Sequence, residues 1–135
     1  MDSPITLYIV SARGLMLVNI LFRLGYGLGA LLAPAKMGKL RLAAHTAEHP
    51  EARLFVRGFG AHQVAVATLG LASRRWPKLE QSAAIAAVTI DAFDMISAIV
   101  EAGGRGKPDT DLTGGLVFSA AGIATAAGAA IPPPK

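Results

Sequence analysis

Four long apolar stretches, separated by polar or proline-marked breaks, dominate the pattern of hydrophobic and polar positions along the chain. Their best windows are 14–33, 54–73, 82–100 and 112–131. At a rise of about 1.5 Å per residue, a helix of this length crosses the roughly 30 Å hydrocarbon core of a bilayer. The pattern therefore predicts an all-α protein with four transmembrane helices.

The same pattern argues against a water-soluble helical protein. A soluble helix would show a polar face repeating every three or four residues, and windows 82–100 and 112–131 have none. Most connections between the windows are short, so that sequential helices should be antiparallel neighbours. We expect a single four-helix transmembrane bundle over residues 1–135.

The composition agrees with this prediction. The chain is 53% hydrophobic and 16% charged, whereas soluble domains have about 25% charged residues. The net charge is +4, but many Lys and Arg residues lie between the apolar windows, where the positive-inside bias and lipid headgroups account for them. Nucleic-acid binding is therefore not expected. The absence of Cys excludes disulfides, thiolate metal sites and Cys nucleophiles.

The longest connection, 34–53, leaves two interpretations open. Residues 37–44 can form a short interfacial helix with leucines towards the membrane, or the whole connection can be a solvated loop. His45 and His49 are four residues apart and could hold a metal ion, but no third ligand is evident beyond Glu48. A pair of loop histidines is therefore favoured over a metal site, because structural zinc sites in proteins take four protein ligands.

A glycine-rich segment in the first window has two possible meanings. Residues 25–30 (GYGLGA) match the dinucleotide fingerprint G-x-G-x-x-G/A, which requires a preceding strand and an exposed helix N-terminus. An apolar run offers neither, so no nucleotide or other cofactor is expected. Gly25, Gly29 and Ala33 lie four apart on one helix face, which predicts close packing against another helix.

The fourth window is built largely of small residues. Gly115 and Ser119 lie four apart, and Ala120, Ala124 and Gly128 repeat the same spacing. Such a helix gains little from large side chains and packs by close backbone approach. Its partner is expected in this chain or in a second subunit.

Polar residues at membrane depth are the informative chemistry of this sequence. Asp91 is the midpoint of window 82–100, and Asp94, three residues on, shares its helix face. Arg23 lies at the centre of the first window. Charges at this depth are costly and normally face the protein interior and a partner. Their equal depth predicts an Arg23–Asp91 pair.

The second window adds Arg57, His62 and Gln63 to the predicted polar interior. Arg57 lies on the same side of the midplane as Asp94, which predicts a second ion pair, and Glu101 at the end of the third window is an alternative partner for Arg57. The resulting intramembrane polar core has six members: Arg23, Arg57, His62, Gln63, Asp91 and Asp94.

The role of this polar core has several interpretations. The pairs can fix helix register, as buried polar groups sometimes do. They can also form a transport or proton pathway through Asp91, Asp94 and His62. A membrane-embedded enzyme acting on lipids is a third class. Because the chain lacks a Ser-His-Asp arrangement, a phosphate loop and a metal-ligand cluster, a non-enzymatic protein is expected.

Three segments carry a family resemblance: 23–34 (RLGYGLGALLAP), 53–63 (RLFVRGFGAHQ) and the Asp91-x-x-Asp94 motif. They resemble small four-helix membrane proteins of unknown function that are common in actinobacteria. The resemblance spans nearly the whole chain and brings no established activity or catalytic residue. It implies a multi-pass protein of the bacterial plasma membrane.

The small-residue faces, short loops and missing catalytic set together favour a supporting role. We expect an accessory or stabilising subunit of a larger envelope complex, for example a lipid importer or a respiratory assembly. Its expected partners are membrane lipids and other membrane subunits or further copies of the chain.

Overall fold

The computed structural model describes residues 4–39, 49–105 and 110–131, and those ranges contain helices and no strand. The helices are α1 (Pro4–Leu32), α2 (Pro34–Gly38), α3 (Pro50–Arg75), α4 (Glu80–Arg105) and α5 (Thr110–Ala130), with a 3-10 turn at Pro77–Leu79.

Proline residues begin several of these elements. α2 starts at Pro34, α3 at Pro50 and the 3-10 turn at Pro77. The first residues of a helix have no intrahelical acceptor for their N–H, so proline loses no hydrogen bond at this position. The proline residues that break the apolar pattern therefore also set where the next helix begins.

Four segments are long and apolar enough to cross a membrane: Ser11–Leu32, Pro50–Arg75, Pro77–Val100 and Thr113–Ala130. They overlap the four windows read from the sequence, which confirms the prediction of an all-helical chain with four membrane-compatible helices. The second segment is longer than window 54–73, because its ends carry polar residues that a hydropathy pattern leaves out.

Neighbouring long helices run in opposite directions. α1 packs along α3, where Gly27 lies beside Gly60 and Ile20 lies beside Gly70. α4 packs along α5, where the amide of Gln81 donates to the carbonyl of Ala130 at one end of the contact. α1 also contacts α5, and α3 contacts α4.

The hydrophobic core is made mainly of small side chains, with Met16 and Ile20 of α1 as its two largest members. The other buried members are Val66, Ala67, Ala83, Ala84, Ala87 and Ala126. Alanine at most core positions lets the helix backbones approach closely, as is typical of helices that pack within membranes.

The start of connection 34–53 is helical, since α2 follows α1 after Ala33. Pro34 and Gly38 of this short helix are buried. Residues 40–48 lie outside the described part of the chain, so the alternatives for 37–44 and the His45/His49 pair stay predictions.

Candidate functional site

The guanidinium of Arg23 is the centre of a buried polar network. Asn19, Arg23 and Gly27 lie four apart on α1, and all three are buried. Arg23 Nε donates to Asn19 Oδ1 at 2.8 Å, and Nη2 donates to the carbonyl of Ala87 at 3.2 Å. Nη1 donates to Gln63 Oε1, and Nη2 also donates to a carboxylate oxygen of Asp91.

This network joins all four long helices. Arg23 connects α1 to Gln63 of α3 and to Asp91 of α4. The amide of Asn19 extends the network to α5, donating to the carbonyl of Gly122 at 3.1 Å and to Thr125 Oγ1 at 2.9 Å.

The Arg23–Asp91 ion pair is deeply buried, with side chains that are 3% and 9% exposed. Removing two charges from water costs several kcal/mol per ion, and mutual attraction offsets this only with further hydrogen bonds. Arg23 has such bonds to the side chains of Asn19 and Gln63. The ion pair is a neutral unit, and the hydrogen bonds of Arg23 join α1 to α3 and α4.

Four aromatic rings cover one side of the network. Phe22 stacks on Phe118 with ring centroids 5.5 Å apart, and Tyr26 meets Phe59 edge to face at 5.7 Å. Tyr26 also contacts Phe22 and Phe118, at 6.3 Å in each case. The rings line one pocket together with Arg23, Gln63 and Asp91.

A small cavity of about 20 Å³ lies between these rings and the polar network. This volume suits a group about the size of one water molecule. Gln63 lines the cavity and is 5% exposed, and its amide nitrogen has no hydrogen-bond partner among the described residues. The two N–H groups of this amide can therefore donate to a small acceptor in the cavity.

Arg57 lies outside this network, although the sequence assigned it to the polar core. Its side chain is exposed, and its Nε donates to the carbonyl of Leu31 at 3.4 Å. The predicted Arg57–Asp94 pair is wrong. Six residues at about 100° each place Arg57 on a different side of α3 from Gln63, so equal depth does not bring it to Asp94.

His62 is also outside the network. It is exposed and lines an apolar groove on α3 together with Leu54, Phe55, Gly58 and Phe59. Its predicted place in the polar interior is wrong, because Gln63 faces inwards and a neighbouring residue points about 100° away. Asp94 is half-buried on α4 and does not line the cavity beside Arg23.

Among the described residues, the predicted glycine face of α1 does not meet another long helix of this chain, and its packing against a second subunit stays a prediction. A Cβ built on Gly25 meets nothing within 4 Å, and one on Gly29 meets Met37 of α2 at 3.1 Å. Ala33 links α1 to α2. The close crossing is at Gly27, where a Cβ would lie 2.8 Å from the carbonyl oxygen of Gly60.

The small residues of α5 divide between two faces. Ser119 is buried, and a Cβ on Gly115 would meet Ala98 of α4 at 4.0 Å. A Cβ on Gly128 would meet Ala12 of α1 at 3.5 Å. Ala120 and Ala124 are exposed, so this spacing does not form one packing face within the described residues, and packing of these two residues against a second subunit stays a prediction.

Sequence reasoning missed Asn19, Gly122 and Thr125. Asn19 is the only asparagine of the chain and lies one turn before Arg23, a position from which its side chain can reach the guanidinium. That spacing was a usable signal. Gly122 carried no such signal, because its role depends on which face of α5 meets Asp91.

Within the described ranges, no three His, Cys, Asp or Glu side chains come together as metal ligands. No protein-family model matches the chain, and neither a curated protein nor a solved structure shows significant similarity to it.

Proposed function

We propose that the chain is a four-helix transmembrane bundle of the bacterial plasma membrane and a non-enzymatic accessory or stabilising subunit of a larger envelope complex. The Arg23 network fixes the arrangement of its helices, and the outer surface of α3 binds a helix of another subunit. The four membrane-compatible helices and their antiparallel contacts support the bundle.

The form of the buried network supports a structural role. Besides its bond to Asn19 of its own helix, Arg23 donates to acceptors on α3 and α4, which holds the guanidinium in one position. A transport pathway would need continuous polar space, whereas the cavity beside the ion pair measures about 20 Å³. His62, the third residue of the alternative pathway, faces the outer surface of α3.

The main support for a partner subunit over α3 is that the side chain of His62 is exposed at membrane depth. His62 lies at the middle of Pro50–Arg75, where an outward-facing polar side chain would meet lipid hydrocarbon. Ionisable residues within membrane-spanning helices almost always face protein or a water-filled cavity. A partner helix over α3 would supply the protein surface that His62 needs.

The residues around His62 suit a helix rather than lipid. The middle of the outer face of α3, defined here as Gly58, Ala61, His62, Ala65 and Thr68, is exposed and carries small or polar side chains, whereas the large exposed apolar side chains of this helix, Leu54, Phe55 and Leu71, lie nearer its two ends. Small residues at helical spacing let a second backbone approach closely.

The outer surfaces of α1 and α4 differ in composition from the outer face of α3. Their exposed residues within the spans include many large apolar side chains, which is the composition expected of a lipid-facing surface. These residues include Leu15, Val18, Leu21, Leu28, Ile85, Phe93, Ile96 and Ile99.

The test is purification of the tagged chain in mild detergent from membranes that survive alkaline carbonate washing. Mass spectrometry then identifies co-purifying subunits. The variant Ala61→Leu with Ala65→Leu should lose them, because the added side chains push a partner backbone away. Thr89→Leu is the matched control, since Thr89 is exposed near the middle of the Pro77–Val100 span.

Loss of the partners in the α3 variant but not in Thr89→Leu supports the proposal. Recovery of a second copy of the chain alone would make the complex a homo-oligomer. A monomer without partners in every preparation would overturn the accessory role.

A further inference from the structure

A cleft of about 260 Å³ lies at the end of the molecule where α3 ends and α4 begins. It is lined by Arg13, Ser73, Arg74, Pro77 and Glu80. Arg13 is ten residues before Arg23 on α1, a separation of about 15 Å along the helix. The cleft is therefore distinct from the buried network.

The described residues around this cleft carry an excess of positive charge. Arg13 Nε and Nη2 donate to the two carboxylate oxygens of Glu80 at 3.2 and 3.3 Å, which forms one bidentate ion pair. Arg74, Arg75 and Lys78 have no carboxylate partner within the described part of the chain. Three positive charges at this end are thus not neutralised by the protein residues described.

Arg74 is oriented for an external anion. Its Nη1 donates to the backbone carbonyl of Arg13 at 3.4 Å, while its Nε and Nη2 have no acceptor among the described residues. A guanidinium with free N–H groups on one edge can bind a phosphate through two parallel hydrogen bonds. The hydroxyl of Ser73 donates to Gly70 O at 2.7 Å. Its proton is therefore not available to an anion, and Arg74 is the hydrogen-bond donor in the cleft.

The position of the cleft along the helices points to the membrane surface. α3 ends at Arg75, and Trp76 directly after it is 60% exposed. Tryptophan concentrates at the headgroup level of bilayers. Leu71, one turn before Arg75, is 42% exposed and offers an apolar surface directly below the basic residues.

We infer that this cleft binds the headgroup phosphate of an anionic phospholipid. Arg74 is its hydrogen-bonding ligand, Arg75 and Lys78 add electrostatic attraction, and an acyl chain runs past Leu71. The inference rests on membrane insertion and is independent of the proposed accessory role. A free phosphate ion would use the same basic residues but would gain nothing from Trp76 or Leu71.

The test measures binding of phosphatidylglycerol and phosphatidylcholine to the full-length chain by native mass spectrometry in detergent. Phosphatidylglycerol should bind more tightly. Each Lys or Arg near a membrane surface contributes about fivefold in affinity for anionic lipid, so Arg74→Gln should weaken phosphatidylglycerol binding by at least about that factor. Arg53→Gln is the control, because Arg53 is exposed at the opposite end of the same helix.

Arg75→Gln provides a second variant should Arg74→Gln reduce thermal stability, since the Arg75 side chain makes no hydrogen bond to the described residues. It should also weaken phosphatidylglycerol binding selectively. Equal binding of both lipids, or unchanged binding in both variants, would overturn the inference. Displacement of the lipid by millimolar inorganic phosphate would assign the cleft to a free anion and would overturn it as well.

Discussion

Gly122 of α5 lies directly against the carboxylate of Asp91, and the buried ion pair depends on the missing side chain at this position. A Cβ built on Gly122 would overlap a carboxylate oxygen and would lie 2.6 Å from Asp91 Cγ. The carbonyl of Gly122 at the same time accepts a hydrogen bond from Asn19. Gly122 therefore leaves room for the carboxylate of Asp91 and also accepts the hydrogen bond that joins α5 to α1.

Gly122→Ala should destabilise the protein by about 1–3 kcal/mol, the usual cost of forcing an extra methyl group into a packed site. Gly115→Ala on the same helix is the control, since its nearest neighbour is Ala98 at 4.0 Å. Thermal unfolding in detergent compares the two variants. Equal stability of both would show that the carboxylate of Asp91 can move aside without cost.

Two glycines of α1, two residues apart, should respond in opposite ways to the same substitution. Gly27→Ala places a methyl group 2.8 Å from the carbonyl oxygen of Gly60 and 2.8 Å from Val64 Cγ2, so it should separate α1 from α3 and lower the unfolding temperature. Gly25→Ala meets nothing within 4 Å and should be neutral or slightly stabilising, because alanine favours helix more than glycine does. A larger loss in Gly25→Ala would indicate that this face binds a partner.

The depth of a residue along its helix could be predicted from the sequence, and depth alone was sufficient to predict the Arg23–Asp91 ion pair. Both residues lie at the centres of their apolar windows, and their side chains meet in the structure. Rotation about the helix axis was harder to predict. Rotation about the helix axis separates Gly27 from Arg23 by about 40° and Gly25 from Arg23 by about 200°. Because Arg23 is expected to face the interior, these angles predict that Gly27 faces inwards and Gly25 does not.

The difference between depth along a helix and rotation about its axis also explains the wrong predictions on α3. Arg57 and His62 were assigned to the interior because charges at membrane depth usually face protein, yet both are exposed. α3 has polar residues on more than one face, and only Gln63 of these three turns towards Arg23. A single sequence cannot distinguish an inward face from a face that meets another subunit.

Ser119 is the next position where the structure predicts a measurable change. Its side chain is 1% exposed, and its hydroxyl has no hydrogen-bond partner among the described residues. An unsatisfied buried polar group costs about 1–3 kcal/mol, so Ser119→Ala should raise thermal stability in detergent. Ser73→Ala is the control, because the Ser73 hydroxyl donates to Gly70 and its removal should bring no gain.

The last prediction concerns the coupling between Arg23 and Asp91. Asp91→Asn or Arg23→Leu alone leaves one charge in the interior without its partner, and breaking a buried pair costs on the order of 3–5 kcal/mol. The double variant Arg23→Leu with Asp91→Leu leaves no orphan charge and should recover part of the loss. Recovery should be incomplete, because Asn19 Oδ1 and Gln63 Oε1 both lose their donor when Arg23 is removed.

A double-mutant cycle of Arg23→Leu and Asp91→Leu on detergent thermostability measures this coupling. The exposed pair Arg13–Glu80 supplies an internal reference, since its side chains are 53% and 26% exposed and exposed ion pairs contribute about 0.2–1 kcal/mol. The Arg23–Asp91 cycle should therefore give a several-fold larger interaction energy. Additive losses at Arg23 and Asp91 would mean that the two residues do not stabilise each other, and the network could then not be what fixes the helices.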